Sequence, residues 1–67
     1  MKAVLDHEPH VTLAVPGVHR VEVDGVTVGY VVEAGAVYVS LQGAVYNTSY
    51  EVAQSLDLGT AVRRLLY

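Results

Sequence analysis

The residues with the widest chemical range here are three histidines, His7, His10 and His19. His7-Glu8-Pro9-His10 sets two imidazoles three positions apart, and His19 can approach them across a first hairpin, a set that zinc accepts as ligands. Pro9 forbids a regular helix beneath the pair, and no neighbouring element holds them in place. They are read as a solvated N-terminal stretch, with no metal assigned. The other routes to catalysis lack their residues: there is no cysteine, no Gly-x-Ser-x-Gly elbow, and no phosphate-binding glycine loop followed by lysine. Glu22, Glu33 and Glu51 fall on positions expected to face water. A chain of 67 residues also has little volume for a ligand cleft of about 300 Å³ or more. The reading is a non-enzyme that uses no cofactor.

The charge balance narrows the partners. Four basic residues against seven acidic ones give a net charge of -3, whereas a grip on phosphate backbones needs clustered Lys and Arg. Arg20, Arg63 and Arg64 are the residues that a nucleic-acid role would use. Met1-Lys2-Ala3-Val4-Leu5 runs into Asp6, His7 and Glu8, so no signal-peptide hydrophobic region forms. No apolar run approaches the roughly 20 residues of a membrane span. The expected location is the cytoplasm.

With 52% hydrophobic and only 16% charged residues, the chain has the makings of a folded domain. Valine dominates, with five tyrosines and no Phe or Trp, a composition suited to strands. Residues 1–67 are read as one small domain, with 1–9 as a flexible N-terminal segment. A domain this small buries only about 60% of the surface its unfolded chain exposes. Without disulfides, packing and self-association are the means left to stabilise it.

Turn chemistry organises the chain. Pro16-Gly17, Asp24-Gly25, Ala34-Gly35 and Gln42-Gly43 are dipeptides suited to tight turns, and Asp-Gly between alternating apolar residues is a strong type I′ hairpin signal. Two-residue loops at the last three set Val21, Val23, Val26, Val28, Tyr30, Val32, Val37, Val39, Leu41, Ala44 and Tyr46 on one apolar face. The other face then carries Arg20, Glu22, Thr27, Gly29, Glu33, Ser40, Gln42 and Asn47, together with an apolar ridge of Val18, Val31, Tyr38 and Val45. The segment Val11–Val15 breaks this pattern, which implies that the first turn is longer or bulged, or that both faces are partly covered. Gly35-Ala-Val-Tyr-Val-Ser and Gly43-Ala-Val-Tyr-Asn-Thr-Ser read as a short duplication that opens two consecutive strands.

After residue 55 the period changes. Leu58, Ala61, Val62, Leu65 and Leu66 follow helical spacing, Ser55 or Asp57 can cap the start, and Arg63 and Arg64 suit the negative end of the helix dipole. Residues 47–54 fit either a strand or a helix begun early by the capping box Thr48-Ser49-Tyr50-Glu51; the reading favours strand to about residue 51 and helix from about residue 56. The fold class is thus α+β: an antiparallel meander of four to five strands with one C-terminal α-helix on its apolar face.

Consecutive strands followed by one helix resemble the AP2/integrase-type DNA-binding domain, which lays a three-stranded sheet in a groove. That resemblance implies a small nucleic-acid-binding regulator acting through Arg20, Arg63 and Arg64, although the strands lack that family's Arg and Trp. The stretch Val18-His-Arg-Val-Glu-Val-Asp-Gly25-Val-Thr-Val-Gly29, with Ala61-Val-Arg-Arg-Leu-Leu66, is also similar to short uncharacterised proteins of actinobacteria and their phages, which implies a phage or mobile-element origin and no catalytic residues. The leading expectation is a small interaction or regulatory protein that forms a homodimer or binds another protein. Its contact surface is expected at the ridge of Val18, Val31, Tyr38 and Val45, or at the edge strand through Val11, Leu13 and Val15 by β-augmentation.

Overall fold

The computed structural model describes residues 8–67. His7 and most of the expected flexible segment lie outside them. Five strands follow in order: β1 (His10–Val15), β2 (Val18–Val23), β3 (Val26–Ala34), β4 (Val37–Gln42) and β5 (Tyr50–Ser55); helix α1 (Leu58–Leu66) ends the chain. The strands form one antiparallel sheet in the order β1-β2-β3-β4-β5, so the expected meander and its C-terminal helix are both present.

The hairpins show where strict alternation holds and where it fails. Asp24 (φ 53°) and Gly25 (φ 81°) both take left-handed backbone, as a type I′ turn requires, and Val23 faces Val26. The ladder then slips: Glu22 faces Thr27 but Val21 faces Gly29, so Val28 is an extra residue on β3. Ala14 is extra on β1, where Val15 faces Val18 and Leu13 faces His19; of the alternatives left open for Val11–Val15, the structure has the bulge. Val52 is extra on β5, where Ser40 faces Ala53 and Leu41 faces Glu51. The β3–β4 hairpin is regular, but its loop is Gly35-Ala36, closed by the pair Ala34 and Val37, one residue beyond the expected position.

Slippage at Val28 exchanges the faces. Val21 comes to stand beside Gly29, and His19 beside Val31, so Val21 and Val31 share the side on which α1 sits. The Ser40 hydroxyl donates 2.8 Å to the Ala61 carbonyl, which fixes the helix over that side. Val21, Val31, Ala61 and Val62 form the buried core, with Val28, Tyr38, Leu58 and Leu65 packed against it. The helix therefore covers the face carrying Val31 and Ser40, opposite to the one expected. It can approach closely because small residues lie on that side of the sheet: Gly29 on β3, and Ser40 on β4 opposite Ala53 on β5.

The second Gly-Ala-Val-Tyr does not open a strand. Residues 43–49 form a loop with a single 3-10 turn at Tyr46–Thr48, and the expected pairings of Leu41 with Ala44 and Val39 with Tyr46 are replaced by those to β5. Hydroxyls after the duplication account for the difference: Ser49 Oγ donates to Tyr46 O at 2.7 Å and Thr48 Oγ1 to Val45 O at 3.3 Å, local bonds that compete with a ladder.

Asp57 caps α1, its backbone extended and its Oδ1 accepting from Thr60 N at 2.8 Å. The Thr60 hydroxyl donates to Oδ2 at 3.0 Å. These two bonds, the backbone one foremost, with Arg63 nearby, hold the Asp57 carboxyl below its ordinary value. A carboxyl lowered by folding contributes stability above its unfolded value and loses it as pH falls through the folded value. Helical circular dichroism of the wild type is thus expected to decline below about pH 4, while Asp57→Ala starts lower at neutral pH and loses less on acidification. Parallel titration curves would remove the cap from this account.

Candidate interaction surface

The side of the sheet away from α1 is organised in straight rows. Val15, Val18, Val32 and Val39 face one another in succession across β1 to β4, and Gln54 ends the row on β5. Directly opposed residues of antiparallel strands project from the same face, so this is a continuous valine row across four strands. The adjacent row reads Thr12, Arg20, Tyr30, Leu41 and Glu51. Polar groups thus stand at its ends and apolar ones at its centre.

The loop 43–49 folds onto part of this face. The Tyr30 hydroxyl donates to Ala44 O at 3.0 Å, and the Tyr46 ring meets Tyr30 edge-on with centroids 5.4 Å apart and planes at 83°. Tyr30 is buried by this contact, whereas Tyr46 remains exposed. Apart from the 3-10 turn within that loop, no strand or helix among the described residues covers the valine row. Val18, Val32 and Val39 are half-buried, and Val15 is 56% exposed.

The residues expected to make contacts are distributed differently. Val31 is fully buried and Tyr38 packs on the core, so the expected ridge is taken up beneath the helix. Val45 is exposed in the 43–49 loop. Val18 is separated from Val31 by the sheet itself. Val11 and Leu13 lie on the helix side opposite Val21 and His19, yet remain exposed, since α1 packs mainly on β3, β4 and β5; the Ala14 bulge moves Val15 to the open face. Val32, Val39 and Leu41, read from sequence as covered core, are instead the open-face residues. The signal that distinguishes the faces is side-chain size: Gly29 and Ser40 leave room for a helix, and Val32 and Val39 do not.

No protein-family model, curated protein or solved structure matches the chain.

The charged groups are dispersed. Arg20 lies on the open face with its Nε 3.3 Å from Glu22 Oε2, while Arg63 and Arg64 are exposed on α1 beyond the other face, so the sheet divides the basic residues expected to act together. His10 stands opposite Glu22 on the open side and His19 opposite Val31 on the helix side, which separates those two imidazoles as well. His19 Nε2 is 2.7 Å from Glu33 Oε2. Among the described residues no three His, Cys, Asp or Glu side chains converge as metal ligands. No helix among them is long and apolar enough to cross a membrane.

Proposed function

We propose that this protein is a small non-catalytic interaction protein that works as a self-associated unit, with the open sheet face as its contact surface. The observation that carries this reading is the row of Val15, Val18, Val32 and Val39, four apolar side chains aligned across four strands with no helix among the described residues above them. A second copy is the occupant that fits. Among the described residues five apolar ones, Val21, Tyr30, Val31, Ala61 and Val62, are buried in the single chain, and a fold with so small a core gains most from burying more of its own apolar surface. Stacking two such faces, as in a sandwich with sheets about 10 Å apart, gives each valine row an apolar counterpart.

Light scattering coupled to size exclusion over a concentration series tests this. The wild type is expected to exceed its monomer mass of 7.2 kDa, and Val32→Glu to lower the assembled mass with its circular dichroism retained. A wild type that stays at monomer mass throughout, or a V32E protein with the wild-type mass, overturns the proposal.

A further inference from the structure

We infer that β1 is a second, separate contact element, which pairs edge to edge with β1 of another copy in an antiparallel two-fold centred on Thr12. The sheet has two edges, and they are not alike. β5 carries Glu51 and a bulge at Val52, and α1 packs against it, devices that discourage strand addition. β1 (His10-Val-Thr-Leu-Ala-Val15) contains no Asp, Glu, Lys or Arg, and all six residues are exposed. A strand pairing with its own copy must place like residues near one another, and an uncharged strand does so without repulsion.

The register follows from the sequence of the edge. A two-fold axis perpendicular to the sheet keeps the helix sides of both copies on one side, and directly opposed residues must share a face. Val11 and Leu13 share the helix side, so a residue of one parity must meet its own parity, and the axis passes through a residue. Centring on Val11 would draw in Pro9, which has no N–H to give. Centring on Leu13 would set the bulged Ala14–Val15 segment against Val11 and Thr12. Thr12 leaves both irregularities at the ends: Val11 faces the partner's Leu13, and His10 faces the partner's Ala14. Val11 and Leu13, 38% and 62% exposed, then meet their counterparts in an apolar patch at the β1 margin of the helix side, next to Val21.

Cysteine cross-linking tests this directly, because the natural chain has no cysteine. Opposed antiparallel residues have Cα atoms about 4.5–5.5 Å apart, within disulfide reach. Thr12→Cys is expected to form a disulfide dimer on mild oxidation on the order of tenfold or more faster than Leu56→Cys, an exposed site off the edge, because pairing raises the local thiol concentration. Leu13→Cys alone should stay slow, while a mixture of Val11→Cys and Leu13→Cys proteins should cross-link to each other. The same measurement on Thr12→Cys/Val32→Glu separates this contact from the face contact: rapid cross-linking there supports the edge whatever becomes of the face. Equal rates for T12C and L56C overturn the edge pairing, and faster cross-linking of L13C than of T12C overturns its register.

Discussion

Val31→Glu is expected to abolish cooperative folding, giving a chain with no sigmoidal urea or thermal transition, whereas the same change one residue later leaves the fold intact. Val31 has no exposed surface and packs with Val21, Ala61 and Val62 under the helix. Replacing it forfeits about 1.5–3 kcal/mol of apolar burial. It also places a carboxylate beneath α1, where the one imidazole opposite it, His19, already meets Glu33, and a buried charge left uncompensated costs roughly 3–5 kcal/mol. A 67-residue chain has a total stability of only about 3–10 kcal/mol at 0.05–0.15 kcal/mol per residue. The two costs together match what there is to lose. Val32 projects from the opposite face, where a glutamate reaches water in the isolated chain. The pair V31E and V32E thus reports which face the helix covers: a folded V31E with an unfolded V32E would reverse the assignment of faces.

That assignment is the feature alternation alone could not supply. The turns at Pro16-Gly17, Asp24-Gly25 and, one residue further on than expected, Gly35, the strands they join and the C-terminal helix are legible because each has a local cause, such as Asp24-Gly25 with its positive φ values or Asp57 followed by a helical period; the Gln42-Gly43 turn is replaced by the longer 43–49 loop. Register beyond a turn has no such local marker when the ladder slips at an ordinary strand residue. Val28 is as good a strand former as its neighbours, yet as the extra residue it sends Val21 to the side of Gly29 and Val31. Which side receives the helix was readable only through side-chain volume. Gly29 and Ser40 count as exposed positions when polarity is the criterion, but as a landing site when size is. Ser40 is buried because its hydroxyl has a partner in the Ala61 carbonyl, a contact 21 residues distant in sequence. The open valine row was therefore visible as a set of residues and misread as to its cover. The irregularity at Val11–Val15 was legible, since broken alternation signalled it, but alternation alone left a longer turn, a bulge and a partly covered face as equal causes; the register shows the bulge at Ala14.

Two glycines separate a packing requirement from simple tolerance. A Cβ on Gly29 would collide with the Leu41 carbonyl oxygen and come within 2.9 Å of Leu65 Cδ2 and 3.1 Å of Cδ1. The Leu65 methyls can rotate aside, but the carbonyl belongs to the β3–β4 ladder and moves only if that ladder does. Overpacking of this kind costs typically 1–3 kcal/mol and sometimes more; with rigid backbone on one side and the helix on the other, Gly29→Ala is expected near the upper end, about 3 kcal/mol. For a domain of this size each kcal/mol is worth about 4–8 °C, so the melting temperature should fall by roughly 12–24 °C. At Gly59, in the first turn of α1, the nearest atoms to an added Cβ are Asp57 Oδ1 at 3.5 Å and Arg63 Nη1 at 3.8 Å, which is ordinary contact. Gly59→Ala is expected to stabilise by about 0.4–1 kcal/mol through the restricted unfolded chain. Thermal melts of the two variants, made by the same one-carbon change, should shift in opposite directions. A Gly29→Ala protein that melts with the wild type would mean that α1 stands farther from β3 than this packing requires, and the close approach over Gly29 and Ser40 would have to be abandoned as the reason the helix chose that face.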